Sequence, residues 1–305
     1  MVTSISAGKA DFVTLPYLIR SNEIVYAPSA SVINQLHQQA QQIRLADSNA
    51  LSNSMLILAD PIFSSSDVRL KGEGTTVIKV SDSSVPVTRQ LTLDTAVGDI
   101  VGKPTAAGLK IPRLINTRKE ANDISELAGV GKTKADVWLD LDASETNVFS
   151  RDMRGYRIVH FATHGLLNTE HPGFTGLVLS LVGESQGDGF LRVNEIFNLK
   201  LGAPLVMLSA CETGLGKEKR GEGIMGLSRA FMYAGAPTVG VSLWAVSDRS
   251  TARLMTDFYS SYLADKNATA AGAMRQAQMK MIADPRVSAP YYWAPFIIVG
   301  DWTRN

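Results

Sequence analysis

Leu205-Val-Met-Leu-Ser-Ala-Cys-Glu-Thr-Gly-Leu-Gly216 opens on an apolar run and then breaks into small residues and glycine around the only cysteine of the chain. A short apolar run closed by glycine reads as a buried strand that ends in a loop. Forty-seven residues earlier the chain does the same around a histidine, in Ile158-Val-His-Phe-Ala-Thr-His164-Gly165. Similar runs occur at Glu23–Ala27, Met55–Ala59, Gly176–Leu181, Thr238–Trp244 and Phe296–Val299. Between them lie stretches with apolar residues at helical spacing. One carries Val32, Ile33, Leu36, Ala40 and Ile43 behind the capping hydroxyls of Ser29 and Ser31. Another carries Ile124, Leu127 and Ala128, with Thr117 and Glu120 spaced as a capping box. Further helices are expected from about Gly223 to Gly235, over Ser250–Leu263 and over Thr269–Ile282. Short strands alternating with amphipathic helices predict an α/β fold with a mostly parallel central sheet.

Residues 64–110 are rich in Ser, Thr, Gly and Val without a helical period, and read as surface loops and hairpins elaborating that fold. No internal repeat is visible and no Pro/Gly linker separates two cores, so a single domain over 1–305 is expected. At 305 residues, 45% of them hydrophobic, the chain is long enough for a sizeable core and too apolar for disorder. Thirty basic against twenty-nine acidic residues disfavour strongly polarised partners, so no nucleic acid and no membrane surface is expected. One cysteine excludes an internal disulfide and multi-cysteine zinc or iron–sulfur sites. Met1-Val-Thr-Ser-Ile-Ser lacks the basic and apolar segments of a secretory signal, and no apolar run approaches the roughly 20 residues of a membrane span. A cytoplasmic protein is the expectation.

In open parallel sheets, reacting groups gather at the carboxyl ends of strands. His164 and Cys211 at the ends of neighbouring strands can approach closely, the imidazole then taking the thiol proton or protonating a leaving amine. The plainer reading of a lone cysteine is an inert small hydrophobe. His160 and His164 stand four apart, about 13 Å along a strand, too far to share one ion. No metal or cofactor is therefore expected. His160 reads as a packed strand residue supporting the site from beneath, His37 as a helix-surface residue and His171 as a loop residue. Gly129-Val-Gly-Lys-Thr133 resembles the end of a phosphate-binding loop, but Glu126 stands where the first glycine belongs and no strand precedes it. Gly221-Glu-Gly-Ile-Met-Gly226 fits G-x-G-x-x-G, yet the residues from Cys211 to Arg220 separate it from its strand. The loop before it is basic and glycine-rich. It is either a solvated loop or a gating or processing segment carrying Lys217, Lys219 and Arg220.

The motifs Phe161-Ala-Thr-His164-Gly165, Leu208-Ser-Ala-Cys211-Glu-Thr-Gly214, Gly221–Phe231, Ala234-Gly-Ala-Pro237 and Ser242-Leu-Trp-Ala-Val-Ser-Asp248 occur in the order of the CHAT domain. Tyr26–Ser31, Ala59-Asp-Pro61, Leu114–Ala121, Tyr291–Phe296 and Gly300-Asp-Trp302 extend the resemblance to roughly residues 17–303. CHAT is a caspase-like peptidase domain often joined to tetratricopeptide repeats in bacteria. The resemblance implies a caspase-like three-layer α/β/α sandwich and a cysteine endopeptidase. It assigns Cys211 as nucleophile and His164 as general acid/base, with the backbone amides of Gly165 and Cys211 as oxyanion hole. It places an extended substrate along Val241, Ser242, Leu243, Trp244 and Asp248. No third orienting residue is evident. Ser209 stands two before the nucleophile where caspases commonly have Gln, so their aspartate specificity is not carried over. The family usually begins with a further strand, and only Met1–Leu15 precede the match, which suggests a fragment or a short member. The partners implied are a protein or peptide substrate and an activator or repeat-containing region. The alternative is a non-catalytic signalling module that docks a partner.

Overall fold

The computed structural model describes residues 11–47, 54–71, 111–131, 133–167, 172–185, 187–209, 211–212, 220–244 and 246–303. In chain order the strands are β1 (Val25–Tyr26), β2 (Ser54–Pro61), β3 (Lys134–Asp140), β4 (Ile158–Ala162), β5 (His164–Leu166), β6 (Gly176–Val178), β7 (Phe190–Arg192), β8 (Leu205–Leu208), β9 (Cys211–Glu212), β10 (Thr238–Ser242) and β11 (Phe296–Gly300). The helices are α1 (Ala30–Asp47), α2 (Ile115–Val130), α3 (Glu145–Ser150), α4 (Val193–Ile196), α5 (Arg220–Tyr233), α6 (Asp248–Ala264), α7 (Ala270–Ala283) and α8 (Pro290–Trp293).

Seven strands form one sheet in the order β1-β11-β10-β8-β4-β2-β3. Every pairing in it is parallel except β10 with β11. The central strands are apolar on both faces because both faces are covered. Met55, Ile57 and Ala59 of β2 pack with Ile124 of α2, Phe258 and Tyr259 of α6 and Met274 of α7. Leu56 and Leu58 point the other way, into a core with Leu36 of α1, Ile196 of α4 and Phe231 of α5. The result is the expected α/β/α sandwich. A second, four-stranded sheet, β7-β6-β5-β9, stands beyond the carboxyl ends of β4 and β8.

Ser29 caps α1 as its sequence suggests, its hydroxyl accepting from Val32 N at 3.2 Å. The capping box at Thr117 does not form. The N-cap of α2 is Leu114; Thr117 lies inside the first turn and its hydroxyl donates to Leu114 O at 2.7 Å. The free amide of Asn116 is satisfied from a distant part of the chain, by Asp248 Oδ2 at 2.8 Å. Glu120 turns instead into the core, and α5 starts at Arg220, ahead of Gly223. Gly235 is required by its φ of 122° and because a Cβ there would lie 2.2 Å from Leu201 O. Within 64–110, Val68–Lys71 form a single 3-10 turn, and 72–110 lie outside the described residues, as does His171.

Candidate active site

β4 and β8 lie side by side, Ile158 opposite Leu205 through Phe161 opposite Leu208. Both then leave the large sheet, and the chain resumes as β5 and β9, which again pair in parallel with His164 opposite Cys211 and Gly165 opposite Glu212. The sequence offset is the same in both ladders, so the register set by two apolar strands carries the histidine and the cysteine to facing positions. Thr163 secures the step between β4 and β5 by donating its hydroxyl to Val178 O.

The His164 ring is buried, 2% exposed, with Phe63 against it at 5.3 Å between ring centroids. Its Nε2 donates to the carbonyl oxygen of Pro112 at 2.7 Å. A carbonyl only accepts, so the proton sits on Nε2 and the neutral ring carries its lone pair on Nδ1. Nδ1 is buried and has no hydrogen-bond partner among the described residues. Burial pushes the His164 pKa below 6.5, against the opposing influence of the Pro112 carbonyl and the Asp248 carboxylate. The ring is thus neutral at pH 7, with a proton acceptor held in reserve on the strand next to Cys211. Pro112 is the orienting group that motif reading missed. It acts through its backbone, and a backbone carbonyl leaves no signature in residue identity.

Val241 lies inside the large sheet, paired with Leu208 on one side and Ile297 on the other; Ser242 pairs with Phe296. Their backbones are largely committed to the sheet, so a peptide pairing with this segment is confined to residues past the strand end. There Leu243 N donates to Pro295 O at 2.9 Å and Trp244 Nε1 to Tyr291 O at 3.2 Å. Gly165 lies between Leu177 of β6 and Glu212 of β9. Asp248 opens α6 and holds Asn116 through N and Nδ2, both at 2.8 Å. Arg220 is the first residue of α5, whereas Lys217 and Lys219 lie outside the described residues. His160 is packed beneath, its Nε2 2.9 Å from Glu120 Oε1 and its Nδ1 3.1 Å from the Tyr259 hydroxyl. His37 is only partly exposed and lies 3.3 Å from Asp301 Oδ1. Among the described residues no group of three or more His, Cys, Asp or Glu side chains can hold a metal ion. None of their helices is long and apolar enough to cross a membrane.

Set beside known proteins, residues 6–301 match the model of the CHAT domain. The chain belongs to the CHAT domain family. Among curated proteins, tetratricopeptide repeat protein 28 of Mus musculus is 33% identical over 112 residues, 36% of this chain and 4% of that protein. Its Homo sapiens counterpart is 33% identical over 111 residues, with the same shares. This chain thus aligns with only a small fraction of either relative. Among solved structures, the Arg-specific cysteine proteinase gingipain R overlays on 88% of this CHAT chain and 52% of its own, at 11% identity and a TM-score of 0.43. A complex of the pro- and mature domains of RgpB from Porphyromonas gingivalis covers 83% and 49%, at 12% identity and a TM-score of 0.44.

Proposed function

We propose that this CHAT chain is a cysteine endopeptidase working through a Cys211/His164 dyad. The observation that supports it is the strand register that sets a buried, neutral His164, with an unpartnered Nδ1 among the described residues, opposite Cys211. In this reading the Cys211 thiol gives its proton to Nδ1 of His164, and the sulfur attacks the carbonyl carbon of the scissile peptide. The oxyanion that forms is held by the backbone amides of Gly165 and Cys211, a donor of this kind being worth about 3 kcal/mol of barrier. The imidazolium then protonates the leaving amine as the carbon–nitrogen bond breaks. Water, deprotonated by the same Nδ1, attacks the thioester, releasing the new carboxyl terminus and restoring the thiol. The substrate is an extended polypeptide lying past the end of β10, over Leu243 and Trp244 and toward Asp248. The matched relatives are tetratricopeptide repeat proteins, which supports a setting in which a protein-binding repeat region or activator presents that substrate.

The test is cleavage of a diverse peptide library by the chain and by its Cys211→Ala and His164→Ala variants. Cuts that vanish with Cys211→Ala and fall by at least about 10²-fold with His164→Ala are expected. Cuts unchanged in both variants would overturn the dyad. A cellular phenotype that survives Cys211→Ala would favour the docking-module reading instead.

A further inference from the structure

The carbonyl that orients His164 belongs to a short segment, Ile111-Pro-Arg-Leu114, and carbonyls in such segments are free to turn unless something anchors the residues on either side. Here the residues that follow it are anchored twice. Arg113, the next residue, forks onto a single carboxylate: Nε donates to Asp60 Oδ1 at 2.8 Å and Nη2 to Asp60 Oδ2 at 2.6 Å. Three residues further on, Asn116 is held by Asp248. Asp60 reaches this segment because the end of β2 is bent to deliver it. The ladder to β3 shifts between Ala59 and Pro61, and Asp60 itself takes a φ of 49°, in the left-handed region. Its carboxylate is wholly buried and also accepts from Arg118 Nε at 2.7 Å. A two-pronged guanidinium–carboxylate pair fixes direction as well as distance. A buried, strained aspartate that takes a fork from the residue adjoining the histidine's acceptor is a device for setting that acceptor.

We infer that Asp60, acting through Arg113, is a positioning residue for His164: the fork holds the Pro112 carbonyl on Nε2 and thereby keeps the acceptor lone pair on Nδ1, facing the cysteine strand. This deepens the peptidase reading and rests on it for its catalytic consequence, but the tautomer it specifies exists whether or not the chain cleaves anything. Arg118 supplies the control. It binds the same carboxylate, yet it sits inside α2, away from Pro112 in sequence. A merely structural role for the cluster makes the two arginines equivalent; the positioning role does not.

The experiment uses the full chain labelled with 15N-histidine, with the His164 resonances identified by their loss in His164→Ala. Wild type at pH 7.5 is expected to show a protonated Nε2 and an unprotonated Nδ1. Arg113→Gln, a substitution at a half-exposed side chain, is expected to give a mixture of both tautomers. It is also expected to lower kcat on any cleaved peptide by about 10²-fold with little change in KM. Arg113→Lys, which keeps the charge but not the fork, is expected to fall between the two. Arg118→Gln is expected to leave the wild-type tautomer in place. An unchanged tautomer in Arg113→Gln, an equal disturbance in Arg118→Gln, or a wild-type ring protonated on Nδ1 would each overturn the inference. If the tautomer responds as expected and no peptide is ever cut, the positioning stands and the peptidase reading falls.

Discussion

His164 shows how one side chain takes its chemistry from surroundings that residue identity does not state. An exposed histidine is half-protonated near pH 6.5. Burial beside Phe63 disfavours the charged ring, and the Pro112 carbonyl selects which nitrogen keeps the proton. Because the folded pKa is lowered, the neutral base persists as pH falls past 6.5. The acid limb of Cys211 alkylation by iodoacetamide, and of kcat/KM for any cleaved peptide, is therefore expected to have its midpoint below 6.5. A midpoint at or above 6.5 would mean that the ring is not desolvated as the structure describes. The same lowering has a cost for folding. Below pH 6.5 the unfolded chain binds this proton more readily than the native one, so the contribution of His164 to stability declines as the pH falls toward the folded pKa.

At the scale of elements, the sheet that carries His164 is clamped from outside by the first turn of α3. Glu145 Oε2 accepts the backbone amides of Asp188 and Gly189, both at 2.9 Å, on the turn joining β6 to β7. In return the Glu184 carboxylate accepts from the backbone amides of Glu145 and Thr146 at 2.6 and 3.1 Å. Burial raises the Glu145 pKa to about 7, the neighbouring Glu195 and Asp188 charges adding to it and the two amides opposing it. Arg192 faces the same turn and pairs with both Asp188 and Glu195. A raised carboxyl pKa contributes stability that is fully present below about 4.5 and is lost as the pH rises through about 7. The chain is thus expected to lose on the order of 2 kcal/mol between pH 4.5 and 8 from this group. Glu145→Gln keeps an acceptor for the two amides without the charge, and should flatten that part of the profile. Urea titrations of both proteins across this pH range test it; parallel curves would remove Glu145 from the account.

Across the whole molecule, one face of the large sheet is tied to its helices by a buried polar chain as well as by apolar packing. Glu120 of α2, His160 of β4 and Tyr259 of α6 are all wholly buried, and their hydrogen bonds of 2.9 and 3.1 Å join three elements through one histidine. Burial, with the Glu120 charge behind it, holds the Tyr259 pKa well above 10, so the hydroxyl keeps its proton within hydrogen-bond reach of His160 Nδ1. Removing one member of such a set strands the others in a low-dielectric core. Glu120→Ala is expected to destabilise the fold by about 3–5 kcal/mol, and Tyr259→Phe, which loses one hydrogen bond and keeps its packing, by about 1 kcal/mol. Chemical denaturation of the two variants gives the ratio directly. Equal losses would mean that Glu120 acts only by filling space.

The amino-acid sequence alone determined the layered α/β architecture, because strands buried on both faces, such as Met55–Ala59 and Leu205–Leu208, must be continuous apolar runs and announce themselves as such. It also marked His164 and Cys211, since a polar or reactive residue at the end of an apolar strand is conspicuous, and its ordered motifs carried the family. It did not reveal β3, an edge strand whose Lys134, Asp136 and Asp140 blur the apolar pattern. Nor did it show that Gly176–Val178 belongs to a second sheet, because pairing partners are not written into a strand's own composition. Thr117 and Glu120 matched a local cap, but Thr117 bonds back to Leu114 O and Glu120 turns to His160, while Asp248 supplies the cap from the far side of the chain. What only the tertiary structure decided is the state of the site: which histidine nitrogen holds the proton, and what holds the carbonyl that decides it. Those depend on backbone groups and on carboxylates distant in sequence, and only folding brings them within hydrogen-bond reach.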